Sequence, residues 1–166
     1  MKGNRFSRIL QILWIAGIPF LCTVCSTNAV FDETVALPDE GWNFKKPVEF
    51  TFPITDTTDQ YDILLHLRNN KNYDYSNLWL YLQTTAPGGA IQRDTLELLL
   101  ADGTGKWLGK GTRSINTMLV PYLQSVRFPQ LGVYTINIQH AMRDTILYNL
   151  SDIGVRVQLT QSEKSR

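Results

Sequence analysis

The sequence contains no cysteine after position 25, and its two cysteines are Cys22 and Cys25. A domain folded from the later residues therefore has neither a disulfide framework nor a thiolate zinc site. Lys and Arg are scattered singly, without the basic run that favours binding to nucleic-acid phosphates. Beyond one N-terminal stretch, no apolar run approaches the length of a spanning helix. These absences argue against a disulfide scaffold, a nucleic-acid-binding protein and a polytopic membrane protein.

The N-terminal stretch has the pattern of a secretory signal peptide. A basic start over residues 2–8 precedes an apolar run, Ile9–Val24, of about 16 residues. This run is shorter than the roughly 20 residues that a comfortable bilayer span needs. We therefore predict that residues 1–24 are a signal peptide, which takes no part in the fold.

Cys25 stands directly after this apolar run, at the place where bacterial lipoproteins have a cysteine that is acylated and becomes the new N-terminus. Val24 stands where the usual lipobox has a small residue. We predict that Cys25 is lipidated and that residues 25–29 form a short tether. The alternatives are a signal peptide with soluble release and an uncleaved anchor helix. The C-x-x-C spacing with Cys22 lies inside an apolar leader, which argues against redox chemistry.

The rest of the chain alternates apolar and polar residues with a period of two. The alternation recurs in six segments, at residues 48–54, 61–68, 78–83, 95–100, 134–139 and 153–159. It places one set of side chains on the core face of a sheet. Turn-like segments separate the runs. The pattern predicts a single antiparallel β-sandwich or jelly-roll-like domain over residues 30–161, followed by a polar tail over residues 162–166.

Ser114–Gln124 is the one segment with a helical pattern, because its apolar residues recur at intervals of three and four. Pro121 interrupts this pattern, so we expect a short helix or an irregular crossover. No other segment has the periodicity of a long amphipathic helix, and the predicted fold class stays all-β.

Four apolar side chains fall on positions that the alternation assigns to the outer faces of the sheets, namely Leu64, Trp79, Tyr81 and Leu99. Our first interpretation is that a loop or the Ser114–Gln124 segment covers them. The alternative is an exposed apolar patch that binds a partner.

The glycine- and lysine-rich stretch Gly103–Gly111 lacks the spacing of a phosphate-binding loop. A P-loop needs G-x-x-x-x-G-K-[ST], whereas Gly105 and Gly109 are one residue too close and Gly111 replaces the hydroxyl residue. We predict instead a hairpin-like turn, with glycine at positive φ and Trp107 packed on the sheet edge. Neither a nucleotide nor another cofactor is expected.

His66 and His140 are the two histidines of the chain. A catalytic triad or a histidine metal site would need one of them beside a nucleophile or further ligands. The alternation places His66 on the polar face of its strand. We expect His140 to be a strand-end histidine that is hydrogen-bonded to a neighbouring loop. No catalytic residue and no metal site is predicted.

Longer motifs run in order along the chain from Cys25 onwards. They are Cys25–Glu33 with Leu37-Pro38 and Gly41-Trp42, Leu67–Asn70 with Tyr73 and Tyr75–Leu78, Asp94–Glu97, Trp107–Gly111, Tyr134–Arg143 and Leu150–Val155. Together they resemble the GldH family of gliding-motility lipoproteins of Bacteroidetes. The resemblance implies a lipid-anchored envelope protein that motile members require for surface gliding, with Cys25 as the acylated residue. It transfers no catalytic residue, metal or cofactor.

We therefore predict a non-catalytic, lipid-anchored protein that contacts other proteins of the envelope or the gliding machinery. Ser26–Ala29 lack the early acidic run associated with surface export in these bacteria, so we expect the domain to face the periplasm. Binding residues often lie in loops on a rigid scaffold. On this basis the candidate contact residues are Asn69, Asn70, Trp107, Lys110, His140 and Arg143.

Two other functions remain open on sequence. A carbohydrate-binding module for peptidoglycan or capsule would stack sugar rings on exposed aromatic side chains, for which the candidates are Trp42, Trp79, Tyr81 and Trp107. An enzyme, most simply a hydrolase, would need His140 or a pair of carboxylates in a cleft.

Overall fold

The computed structural model describes residues 28–112 and 114–161. The predicted signal peptide, Cys25 and the polar tail lie outside the described residues. Eleven strands occupy the described chain: β1 (Ala29–Ala36), β2 (Trp42–Asn43), β3 (Val48–Ile54), β4 (Tyr61–Asn70), β5 (Asn77–Thr85), β6 (Ile91–Leu99), β7 (Lys110–Thr112), β8 (Ile115–Val126), β9 (Gly132–His140), β10 (Ile146–Leu147) and β11 (Leu150–Leu159).

The strands form two antiparallel sheets that pack face to face. One sheet has five strands in the order β1-β11-β4-β8-β7, and the other has four in the order β3-β9-β5-β6. The short pair β2 and β10 lies beside them. This architecture confirms the predicted all-β fold and the antiparallel sandwich.

The core lies between the two sheets, where alternate residues of the strands are buried. On β5 the inner residues are Leu78, Leu80 and Leu82. They pack in one cluster with residues of β3, β4, β9 and β11. Burial of this apolar surface is the main free-energy term that holds the sheets together.

The expectation of a helix or crossover at Ser114–Gln124 is wrong, because this segment lies within the twelve-residue strand β8. The strand pairs with β4 from Ile115, opposite Asn70, to Val126, opposite Tyr61. On its other side β7 reaches only as far as Thr117, so the rest of β8 is a sheet edge. Pro121 lies opposite Leu64 on this open part of β8, where a missing N–H is tolerated.

The sandwich has two ends with different chain segments. The N-terminal pole contains the start of β1 and the end of β11. The β3–β4, β5–β6 and β8–β9 loops lie at the same pole. At the distal pole lie the β4–β5, β6–β7 and β9–β10 loops, together with β2 and β10. The N–H of Leu159 donates to the carbonyl of Asn28 at 3.0 Å, which fixes the start of the described chain at the N-terminal pole.

Over the described residues, no helix is long and apolar enough to cross a bilayer.

Candidate functional site

The three large loops of the distal pole are tied together by hydrogen bonds. The N–H of Leu100 donates to the carbonyl of Ser76 at 2.8 Å, which joins the β6–β7 loop to the β4–β5 loop. The hydroxyl of Tyr75 donates to the carboxylate of Asp144, which joins the β4–β5 loop to the β9–β10 loop. These bonds connect loops that are distant in sequence and hold them as one unit.

Two aromatic side chains stand on the outer face of the four-stranded sheet next to these loops. Trp79 is 39 % exposed and Tyr81 is 53 % exposed, and they lie two residues apart on β5. Their cross-strand neighbours on β6 are Glu97 and Thr95. We call Trp79 and Tyr81 the aromatic shelf.

The first interpretation, that outward apolar residues are covered, is wrong for the shelf and for Leu99, which is also exposed. One of the two expected covers, Ser114–Gln124, lies in β8, a strand of the opposite sheet. It therefore cannot lie over the outer face of β5 and β6. Leu64, on the other sheet, is half-buried.

A groove of about 730 Å³ runs from the shelf to the β9–β10 loop and is lined by Tyr75, Asn77, Trp79, Tyr81, Thr95 and Ala141–Asp144. The N–H of Trp79 donates to the sulfur of Met142 at 3.3 Å. The side-chain amide of Asn77 donates to Glu97 at 2.6 Å. The groove is thus an open surface whose apolar and polar groups are already held in place.

A second depression of about 520 Å³ continues this groove along the sheet. It shares Tyr81 and Thr95 with the first and adds Gln83, Arg93 and Asn137 among its lining residues. The Nε of Arg93 donates to the side-chain oxygen of Gln83 at 3.0 Å. The outer face therefore passes from aromatic near the distal pole to amide and guanidinium in the middle of the sheet.

Two tyrosines of the β4–β5 loop are neutral hydrogen-bond donors. Burial raises the pKa of Tyr73, and its hydroxyl donates to the carbonyl of Asn77 at 3.2 Å. The hydrogen bond to Asp144 is the main cause of the raised pKa of Tyr75. Neither phenol ionises near neutral pH, so both bonds persist there.

His140 is the last residue of β9, as predicted, and its side chain is buried. Its Nε2 lies 2.9 Å from the carbonyl oxygen of Trp42. The ring packs edge-on against the indole of Trp42, with the ring centroids 5.2 Å apart. Burial lowers the pKa of His140, and the hydrogen bond to Trp42 opposes part of that shift. The Trp42 carbonyl belongs to strand β2, while a hydrogen bond to the backbone of Thr145, in the β9–β10 loop, also raises the pKa of His140.

The six predicted contact residues are all at or near the distal pole, but two of them are not on the surface. Asn69 and His140 are buried, so their inclusion as contact residues is corrected. Both are strand residues whose side chains face inwards. Asn70 is half-buried, whereas Lys110 and Arg143 are exposed. Only Arg143 lines the groove.

Trp107 packs where the sequence predicted. It is half-buried against the core cluster and forms a bridge with Ala101 at the edge of the sheet. Gly105 has φ of +83°, which confirms glycine at positive φ in the turn. The carboxylate of Asp102 accepts hydrogen bonds from the N–H groups of Thr104 and Lys106, at 2.9 and 3.0 Å. The stretch is a structural turn.

The outer face of the five-stranded sheet has a different chemistry. His66 lies on this polar face, as predicted, with its Nε2 3.1 Å from Asp32. Asp32 also faces Arg156 at 3.7 Å, and Arg68 pairs with Asp152 at 3.1 Å. Charged and polar side chains therefore meet on this face, whereas aromatic side chains stand on the outer face of the four-stranded sheet. Among the described residues, no three His, Cys, Asp or Glu side chains form a group that could hold a metal ion.

Sequence reasoning missed Tyr75, Met142 and Asp144 as lining residues of the groove. The alternation in β5 contained a signal for the shelf, because Trp79 and Tyr81 occupy the positions opposite to the buried leucines. No local pattern links Tyr75 to Asp144, since 69 residues separate them.

The protein is thus an antiparallel β-sandwich. Hydrogen bonds join the loops at its distal pole, and an open groove lies on one outer face beside them. The model of the GldH lipoprotein family matches residues 29–157, nearly the whole sandwich. The chain belongs to this family, which confirms the resemblance of its motifs.

Two curated relatives agree with the family match. The gliding motility lipoprotein GldH homolog of Christiangramia forsetii is 33% identical over 145 residues, covering 83% of this chain and 88% of the relative. The gliding motility lipoprotein GldH of Flavobacterium johnsoniae is 31% identical over 154 residues, covering 89% of this chain and 94% of the relative. A family of lipoproteins implies a membrane-anchored location in the cell envelope.

Proposed function

We propose that this protein is tethered to an envelope membrane by acylated Cys25, faces the periplasm, and acts without catalysis by binding other envelope proteins at its distal pole. The observation that carries this proposal is the aromatic shelf. Trp79 and Tyr81 are exposed on a sheet face beside three loops that are braced to one another. The names of the relatives, which are gliding motility lipoproteins, support an assignment to the gliding machinery.

The chemistry of the groove favours a protein partner. Trp, Tyr and Arg are enriched at the centres of protein interfaces, and Trp79, Tyr81 and Arg143 all line this groove. Its loops are already tied together, so binding orders few further residues. Exposed Lys110 is also at the distal pole, but at the edge of the five-stranded sheet and not in the lining of the groove.

The position of His140 supports a non-catalytic role. A general base must reach the proton that it abstracts. The Nε2 of His140 is engaged with the Trp42 carbonyl, and its side chain is buried beneath the distal pole. The other histidine, His66, lies against Asp32 on the outer face of the five-stranded sheet, away from the distal-pole groove.

Site-specific photo-cross-linking tests the proposed contact surface. A photoreactive phenylalanine analogue at Tyr81 should give a discrete protein adduct in intact cells. The matched control is the same analogue at Leu119, which is exposed on the outer face of the other sheet. Equal adducts at both positions, or none at Tyr81, would refute a protein interface at the shelf.

Carbohydrate binding is the second candidate function, and the exposure of the shelf keeps it open. Two aromatic side chains on one sheet face, followed by Gln83 and Arg93, offer both a stacking surface and hydrogen-bonding groups. Trp42 is buried and unavailable for stacking. Calorimetric titration with soluble peptidoglycan fragments tests this function. Binding that is lost in Trp79→Ala would favour it over a protein partner.

A further inference from the structure

The N-terminal pole has an apolar surface of its own, far from the groove. Leu131 is 61 % exposed and Val133 is 54 % exposed. Val133 lies opposite Pro53 on the neighbouring strand β3. The side chain of Pro87 packs against the backbone of Gly132. We call Pro53, Pro87, Leu131 and Val133 the apolar patch.

The tether is too short to hold this pole away from a membrane. Asn28 is fixed to the end of β11 by the 3.0 Å hydrogen bond from Leu159. Three residues lead from Asn28 back to Cys25, and three extended residues span at most about 11 Å. An acyl chain on Cys25 must lie in the bilayer. Lipidation of Cys25 would therefore hold the start of β1, and with it the N-terminal pole, next to the bilayer surface.

We propose that the apolar patch rests in the headgroup region of the bilayer and fixes the orientation of the sandwich. The proposal depends on the lipidation of Cys25 proposed above. Because the distal pole is at the other end of every long strand, this orientation turns the groove away from the membrane and towards the periplasm. We take the lipid surface to be the binding partner of the apolar patch, because the short tether keeps this pole beside the membrane.

The charges near this pole indicate how the contact works. In the described loops of this pole the charged residues are Asp56, Asp59 and Arg127, so these loops have no basic excess that would attract anionic lipids. Leu131 and Val133 instead offer apolar side chains to the boundary between headgroups and acyl chains. A few such side chains orient a domain that its anchor already keeps at the surface.

An environment-sensitive fluorophore on a single introduced cysteine tests the orientation. Acylation through a thioether would consume the thiol of Cys25, and the later chain has no other cysteine. We would label Leu131→Cys in the full lipidated chain, bound to vesicles of phosphatidylethanolamine and phosphatidylglycerol. The matched control is Leu108→Cys, an exposed leucine of the distal pole.

The expected result is a blue-shifted emission at position 131, quenched by nitroxide lipids, and a water-like, unquenched emission at position 108. Val133→Cys repeats the measurement if Leu131→Cys fails to fold. A chain that floats with the vesicles but gives water-like emission at 131 and 133 overturns the orientation and leaves the anchor intact. A chain that does not float overturns the anchor itself, and the orientation with it.

Discussion

The hydroxyl of Tyr75 donates a hydrogen bond to the carboxylate of Asp144 across 69 residues of sequence. This contact ties the β4–β5 loop to the β9–β10 loop, directly beside the groove. The loops beside the aromatic shelf are therefore fixed before any partner arrives.

Removal of this contact should loosen the distal pole without unfolding the sandwich. In Tyr75→Phe, amide hydrogen exchange should become faster in residues 71–76 and 141–145, because the hydroxyl that joins the two loops is gone. Exchange in β4 and β11 should not change. The matched control is Tyr148→Phe, which removes the hydroxyl of an exposed tyrosine at the same pole. Unchanged exchange in Tyr75→Phe would show that other contacts alone hold the loops.

Neighbouring leucines on β6 test the alternation of the sandwich. Leu98 is 1 % exposed and Leu99 is 59 % exposed. Leu98→Ala should lower the free energy of unfolding by about 2–5 kcal/mol, because it leaves a cavity in the core. Leu99→Ala should change it by no more than about 0.5 kcal/mol. Urea denaturation measures both values, and similar losses in the two variants would contradict the assigned faces.

Gly154 controls how closely β1 can approach β11. A side-chain carbon at Gly154 would lie 2.5 Å from the carbonyl oxygen of Glu33 and 2.7 Å from the hydroxyl of Thr34. Gly154→Ala must push β1 outwards, and we expect a loss of about 1–3 kcal/mol in the free energy of unfolding. Gly103→Ala is the matched control, since no atom lies within 4 Å of its added carbon. Equal thermal midpoints in the two variants would refute the close approach.

Stability should depend on pH through His140. Burial lowers the pKa of His140 in the folded chain, so the unfolded chain, with a histidine pKa of about 6.5, takes up the proton more readily. The contribution of neutral His140 to the free energy of unfolding is therefore fully present above about pH 6.5. It decreases as the pH falls towards the pKa of His140 in the folded chain.

His140→Gln isolates this effect, because glutamine can donate to the Trp42 carbonyl but does not titrate. Between about pH 7.5 and about pH 5.5, the urea midpoint of the wild type should fall further than that of the variant. Other titrating groups act on both proteins alike. An equal fall in both would mean that His140 is not the group responsible.

The sequence predicted the sandwich well because alternation is a local signal of burial. Strand β9, for example, follows from Tyr134, Ile136 and Ile138 alone. The residues of β8 were instead predicted to form a helix or a crossover. The register shifts and mixed exposure of this strand give apolar residues a spacing of three and four around Pro121. Whether a given strand has a neighbour on each side is a property of the whole sheet.

The candidate site was predicted only in part, for a similar reason. The sequence located the loops of the distal pole but could not show that Asn69 and His140 face inwards. It identified Trp79 and Tyr81 as outward residues but could not exclude a covering segment. Long-range contacts such as the one between Tyr75 and Asp144 become visible only in the folded chain.

Metabolic labelling with a clickable fatty acid tests the central claim, that Cys25 anchors this domain to a membrane. We expect labelling of the wild type and of the control Cys22→Ser, and no labelling of Cys25→Ser. A wild-type protein that takes up no fatty acid, or a Cys25→Ser variant that remains labelled, would contradict it.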